Sequence, residues 1–93
     1  MRKISRTTRF KKDYRREARG QHRETLDADL LAVASLLASD SPLPEKLHDH
    51  QMTGEWIDHR DCHIKPDLVL IYRVPDPERL ELVRLGSHSE LSL

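Results

Sequence analysis

The chain has one cysteine, Cys62, three glycines and four aromatic residues. A lone thiol excludes an internal disulfide framework and a four-thiolate zinc site. Three scattered glycines leave no Gly-rich loop to cradle a nucleotide phosphate. Phe10, Tyr14, Trp56 and Tyr72 are too few to build a stacking platform for free single-stranded RNA. The longest apolar stretch, residues 30–38, is broken by Ser35 and is far shorter than a bilayer requires. Arg2 and Lys3 have the charge of a secretion signal, but no apolar segment follows. These shortages exclude a membrane protein, a disulfide scaffold and a multidomain enzyme. The expectation is one cytoplasmic domain spanning residues 1–93.

What is present is charge, unevenly placed. The net charge of zero conceals two halves of opposite sign. Residues 1–23 hold ten Lys/Arg against Asp13 and Glu17, a balance of +8, and residues 24–93 carry −8. Fields are screened beyond roughly 8–10 Å at physiological salt, so a polyanion senses the local surface and not the sum.

The apolar pattern gives the fold class. Residues 2–6 suit a short strand around Ile4. From Thr8, Phe10, Tyr14 and Ala18 recur every four residues along a helix that Gly20 stops. Thr25 is the expected N-cap of a second helix, whose face is Leu26, Leu30, Val33, Ala34 and Leu37. Residues 41–54 read as a long polar loop. A strand is expected from Trp56 to Ile64, with His59, Asp61 and His63 on one face and Trp56, Cys62 and Ile64 on the other. After a turn at Pro66-Asp67, Leu68–Tyr72 is apolar throughout, as in a strand buried on both faces. A turn at residues 75–78 precedes a last strand over 80–85. The order β-α-α-β-β-β predicts an α+β domain: a small antiparallel sheet with an N-terminal helical hairpin packed on it. Trp56 and Tyr72 are expected to pack in the core.

Six histidines are many for 93 residues, and five of them (His48, His50, His59, His63 and His88) follow the helices. Imidazoles titrate near neutral pH, so several of them beside a carboxylate can take and return protons. His48 with His50, or His59 with Asp61 and His63, also has donor chemistry for zinc, though no standard zinc spacing is present. With Asp67 as the carboxylate and Arg84 as a fixed cation, the set suits cleavage of a phosphodiester.

The stretch from Leu43 through Asp49, His50, Gly54, Trp56, Arg60, Asp61, His63, Pro66 and Asp67 to Leu70-Ile71-Tyr72, followed by Arg84-x-Gly86-Ser87-His88, resembles the YafQ-type toxins of the RelE/ParE superfamily. That resemblance implies a ribosome-dependent mRNA endonuclease of a type II toxin–antitoxin system, needing no cofactor. Its implied catalytic residues are His50, His63, Asp67 and His88, with Arg84 a phosphate contact. Arg60, Lys11, Lys12, Arg15 and Arg16 are assigned to RNA or phosphate binding. The implied partners are the ribosome, mRNA and an acidic antitoxin with a DNA-binding domain, in a hetero-oligomer. The sequence departs from the family pattern at Ser92, where an aromatic follows the equivalent of Leu91. Two other functions are open: a non-catalytic toxin of the same fold that acts on DNA gyrase, and a small zinc-binding adaptor.

RNA brings its own nucleophile, so the protein need only align the 2′-hydroxyl, deprotonate it, protonate the departing 5′-oxygen and offset charge on the phosphorane. Asp67 or His50 is the expected base, His88 the acid and Arg84 the charge stabiliser, with His63 orienting Asp67 or the phosphate.

Overall fold

A computed structural model describes all residues, 1–93. Strand β1 (Lys3–Arg6) leads into helices α1 (Thr8–Glu17) and α2 (Leu26–Ala38). Strands β2 (His50–Gln51), β3 (Arg60–Lys65), β4 (Leu68–Asp76) and β5 (Arg79–Gly86) follow. The five strands form one sheet in the order β1-β5-β4-β3-β2. The expected α+β class holds, with two differences of detail. The loop contributes an extra two-residue strand, β2, on the edge of β3. The sheet is also not wholly antiparallel, since β1 runs parallel to β5. The two helices carry the chain from one sheet edge to the other, which leaves the last strand to pair with the first.

Local chemistry fixes the helices. The Thr7 hydroxyl accepts from the Phe10 N–H at 3.0 Å and caps α1. Phe10 is buried and Tyr14 half-buried as the four-residue stripe requires, but Ala18 is exposed. The buried polar member of α1 is Asp13. In α2, Leu26, Val33, Ala34, Leu37 and Ala38 are buried. Thr25 precedes this helix but makes no side-chain cap bond. The first turn is closed by the backbone, with the Asp29 N–H donating to the Thr25 carbonyl at 3.0 Å.

The apolar run of β4 divides between two cores. Leu68, Leu70 and Tyr72 face the helices with Phe10, Leu26, Val33, Leu37, Cys62, Ile64, Leu80, Leu82 and Leu85. Val69 and Ile71 face the other side with Met52 and Leu91, flanked by Trp56 and Val83. Each fully buried leucine here contributes about 1.5–3 kcal/mol of transfer free energy. Trp56 thus lies on the side opposite Cys62 and Ile64, contrary to the alternation reading. The cause is that β3 begins only at Arg60; Gly54–Trp56 is a tight 3-10 turn, and a two-residue period cannot carry through it. Gly54 has φ +67 at the start of this turn, a value glycine adopts without strain. Pro75 falls where the β4–β5 register shifts, a place a strand tolerates a residue without an N–H. No helix is long and apolar enough to cross a membrane.

Candidate active site

Register places the histidines. His50 on β2 opposes Asp61 on β3. His63 on β3 opposes Val69 on β4, which opposes Gly86 on β5, and His88 lies two residues beyond. The His63 and His88 rings meet edge to face, with centroids 5.1 Å apart. The His48 ring also lies against His63, with centroids 5.7 Å apart. His48 sits at φ 49, in the left-handed region, as the C-cap of the 3-10 turn Glu45–Leu47.

His50 Nδ1 lies 2.8 Å from the His48 carbonyl and 3.0 Å from Asp61 Oδ1. A carbonyl can only accept, so Nδ1 carries the proton and Nε2 of a neutral ring keeps its lone pair. Asp61 is 4% exposed, and its Oδ1, which accepts no hydrogen bond, faces this imidazole. Burial pushes His63 below the usual imidazole value, and the neighbouring His88 pushes it further. Asp61, His48 and His50 also act electrostatically on His63, so the four histidines and one carboxylate form one cluster.

Other assigned residues are engaged elsewhere. Asp67, in the β3–β4 turn, accepts from His22 Nε2 at 2.8 Å and from the Gln21 amide, both between the helices. The His22 hydrogen bond is the main cause of its lowered carboxyl pKa. The structure joins Asp67 to this segment, and the carboxylate it joins to the histidines is Asp61. Arg84 donates to Asp13 from Nε at 2.7 Å and from Nη2 at 3.2 Å. Arg60 bonds Asp49, which also accepts from the buried Tyr72 hydroxyl. Arg16 is ringed by Asp13, Glu17 and Glu90. Lys11, Lys12 and Arg15 remain exposed on α1. His59 precedes β3 and packs against Trp56 at 5.0 Å, on the same side of the sheet as Asp61 and His63, as the alternation predicts.

The residues that sequence reasoning did not place in the site are His48 and Asp61. The alternation that aligned Asp61 with His63 carried the second; nothing local carried the first, which depends on the fold of the loop. No group of three or more His, Cys, Asp or Glu side chains converges as a metal-binding set. A cavity of about 390 Å³ opens beside the cluster, lined by Lys46, His48, His63 and Lys65 with Leu47, Ile64 and Pro66. A larger one of about 650 Å³, bounded by Arg2, Lys3, Asp40 and Arg79 among others, contains no histidine.

Comparison with known proteins gives the family. Residues 2–93 match the family described as the bacterial toxin of type II toxin-antitoxin system, YafQ. A relative from Haemophilus influenzae named putative toxin YafQ is 35% identical, over 98% of this chain and 92% of its own. The mRNA interferase toxin YafQ of Escherichia coli K12 is 39% identical over 56 residues, 60% of each chain. The crystal structure of YafQ from E. coli BL21(DE3) superimposes with TM-score 0.81 at 33% identity, covering 98% of both chains. A copper-bound mutant toxin from Helicobacter pylori gives 0.85 at 38% identity, covering 98% of this chain and 99% of that one. The E. coli DinJ–YafQ complex gives 0.80 at 34% identity, covering 98% of both chains. The chain belongs to the YafQ family of bacterial type II toxin–antitoxin toxins. The resemblance carried by residues 43–88 extends across the basic helical half as well.

Proposed function

We propose that this chain is an mRNA endoribonuclease that cuts ribosome-bound message and is silenced by an antitoxin. The observation that carries this reading is the cluster of His50, Asp61, His63 and His88, gathered from β2, β3 and the segment after β5. Named relatives support it: the matching E. coli protein is called an mRNA interferase, and its YafQ is seen with DinJ.

His50 is the base. Its Nδ1–H is held by the His48 carbonyl and backed by Asp61, so Nε2 is free to take the 2′-hydroxyl proton. The 2′-oxygen then bonds to phosphorus as the bond to the 5′-oxygen breaks. His88, entering as imidazolium, gives its proton to that oxygen and ends neutral. The products are a 2′,3′-cyclic phosphate and a 5′-hydroxyl. His63, kept neutral by burial and by His88, orients the phosphate. Arg84, its charge shared with Asp13, supplies a fixed cation. Asp67 braces the β3–β4 turn against His22 instead of serving as the base. No step calls for a metal ion, because substrate and imidazoles supply both nucleophile and proton carriers. Two H. pylori relatives have been crystallised as metal-bound toxins, which makes metal removal the direct test. Cleavage should persist with a chelator selective for zinc and copper; its abolition, with recovery on adding metal, would overturn metal independence.

The main test is single-turnover cleavage of ribosome-bound mRNA. His50→Ala and His88→Ala should each lower the rate by about 10²–10⁴-fold, the usual worth of general acid–base catalysis. Full activity in either variant refutes the role given to that residue. A gyrase-directed toxin of this fold would instead leave mRNA intact and inhibit DNA supercoiling.

A further inference from the structure

The turn carrying His88 is gripped from outside. The Ser87 N–H donates to Glu90 Oε1 at 2.9 Å, and the Glu90 N–H donates to the Ser87 hydroxyl at 3.1 Å. This reciprocal arrangement is a capping box, which closes a single turn around His88 and Ser89. The Leu91 N–H donates to the Ser87 carbonyl at 3.1 Å, and the Leu91 side chain is buried in the second core. The other carboxylate oxygen of Glu90 lies 2.9 Å from Arg16 Nε.

Arg16 is itself anchored to the sheet's last strand and to its own helix. Its Nη2 donates to the Leu85 carbonyl at 2.7 Å, and its Nη1 to Asp13 at 3.0 Å. Asp13 accepts in turn from the Leu85 N–H at 3.0 Å and from Arg84. One turn of α1 therefore holds the chain just before Gly86, through residues 84 and 85, and just after it, through Glu90. Gly86 is the gap through which this grip passes. A Cβ there would lie 2.7 Å from Arg16 Nη2 and 3.2 Å from Glu90 Oε1. None of these bonds is made to the His88 ring; they fix the backbone that aims it.

We propose that Arg16 and Glu90 are positioning residues for His88, holding the Ser87–Glu90 turn so that its imidazole stands against His63 and reaches the departing 5′-oxygen. The proposal rests on the reading of His88 as the proton donor. Arg16 would then belong to the acid's support and not to the RNA-binding surface, which its three carboxylate neighbours already suggest. Glu90 is ionised as the brace requires: the Ser87 N–H chiefly, with the Ser87 hydroxyl and Arg16, lowers its carboxyl. A turn near the end of the chain, without this brace, would sample orientations in which the proton misses its target. Misplacement of a catalytic group by about 1 Å costs on the order of 10²-fold in rate.

The test compares two substrates on programmed ribosomes, a normal mRNA and one whose 5′-bridging oxygen at the mapped cut is sulfur. A thiolate departs without protonation, so only the oxygen substrate needs the acid. Glu90→Ala should slow the oxygen substrate by on the order of 10²-fold and the sulfur substrate by less than about threefold. Gly86→Ala should give the same selectivity, because it wedges the brace apart while removing none of its groups. In a His88→Ala background, Glu90→Ala should add nothing further to the oxygen defect. Equal losses on both substrates, or no loss on either, would overturn the proposal, provided His88→Ala itself is rescued by sulfur. If His88→Ala is not rescued, the acid assignment fails first and the proposal falls with it. Should Glu90→Ala fold poorly, Glu90→Gln keeps the acceptor for Ser87 and drops only the charge facing Arg16; it must show the same substrate selectivity, in weaker form.

Discussion

Asp13 on α1 and Arg84 on β5, 71 positions apart, form an ion pair in which Asp13 is 5% and Arg84 12% exposed at the side chain. Burial pushes the Asp13 carboxyl up, but hydrogen bonds from Arg84 and the Leu85 N–H, with the charges of Arg84 and Arg16, outweigh it and leave it lowered. Removing one partner strands a buried charge. Asp13→Ala should destabilise the fold by about 3–5 kcal/mol, measured by denaturant unfolding. A folded carboxyl lowered below its unfolded value of about 3.9 contributes stability that is complete above that value. The contribution is lost as pH falls through the folded value. The gap in Tm between the wild type and Asp13→Asn should therefore shrink below about pH 4; a gap constant from pH 7 to pH 2.5 would show that the carboxylate's charge is not what stabilises.

His63 gives a second pH signature, of a base held neutral. Because its folded value is lowered, the unfolded chain binds the extra proton as pH falls below about 6.5. Stability from this group is present above that value and is lost as pH falls through the folded one. NMR titration should show His63 below its free value in the wild type and moved upward in His88→Ala. No movement would mean the two rings do not interact electrostatically.

Cys62 is fully buried, and burial pushes its thiol up to about 12. The thiolate is the reactive form, so the native protein should resist thiol-alkylating reagents at neutral pH and react stoichiometrically once denatured. Rapid labelling of the native protein would indicate frequent opening between β3 and the helices.

Lys11, Lys12 and Arg15 are exposed cations on α1. Reversing all three to glutamate should weaken association with ribosomes and flatten its dependence on salt, since each phosphate contact adds to that slope. The same variant should slow association with an acidic antitoxin at low salt. Unchanged salt slopes for both partners would place their binding surfaces elsewhere.

Much of the fold was legible in short-range pattern. The uniform apolar run 68–72 marked β4 because both its faces are covered, and the four-residue spacing of Phe10 and Tyr14 marked α1. The strand expected from Trp56 was too long, because alternation continues by chance through a turn. The parallel pairing of β1 with β5 was invisible, since strands so distant in sequence carry no local mark of their partner.

The same division holds at the site. Residue identity and short-range period set which titratable groups exist, that His63 and Asp61 share a face two residues apart, and that the cations crowd into the first helix. Which carboxylate meets which base came from the folded chain. Asp67 went to His22, Asp61 to His50, and Asp13 to Arg84 and Arg16. Range accounts for this: a helix or strand period fixes a side chain's direction within a few residues. An ion pair only a few ångströms long is instead set by how strands pair and how the helices and their connection seat on the sheet, and that is a property of the assembled fold.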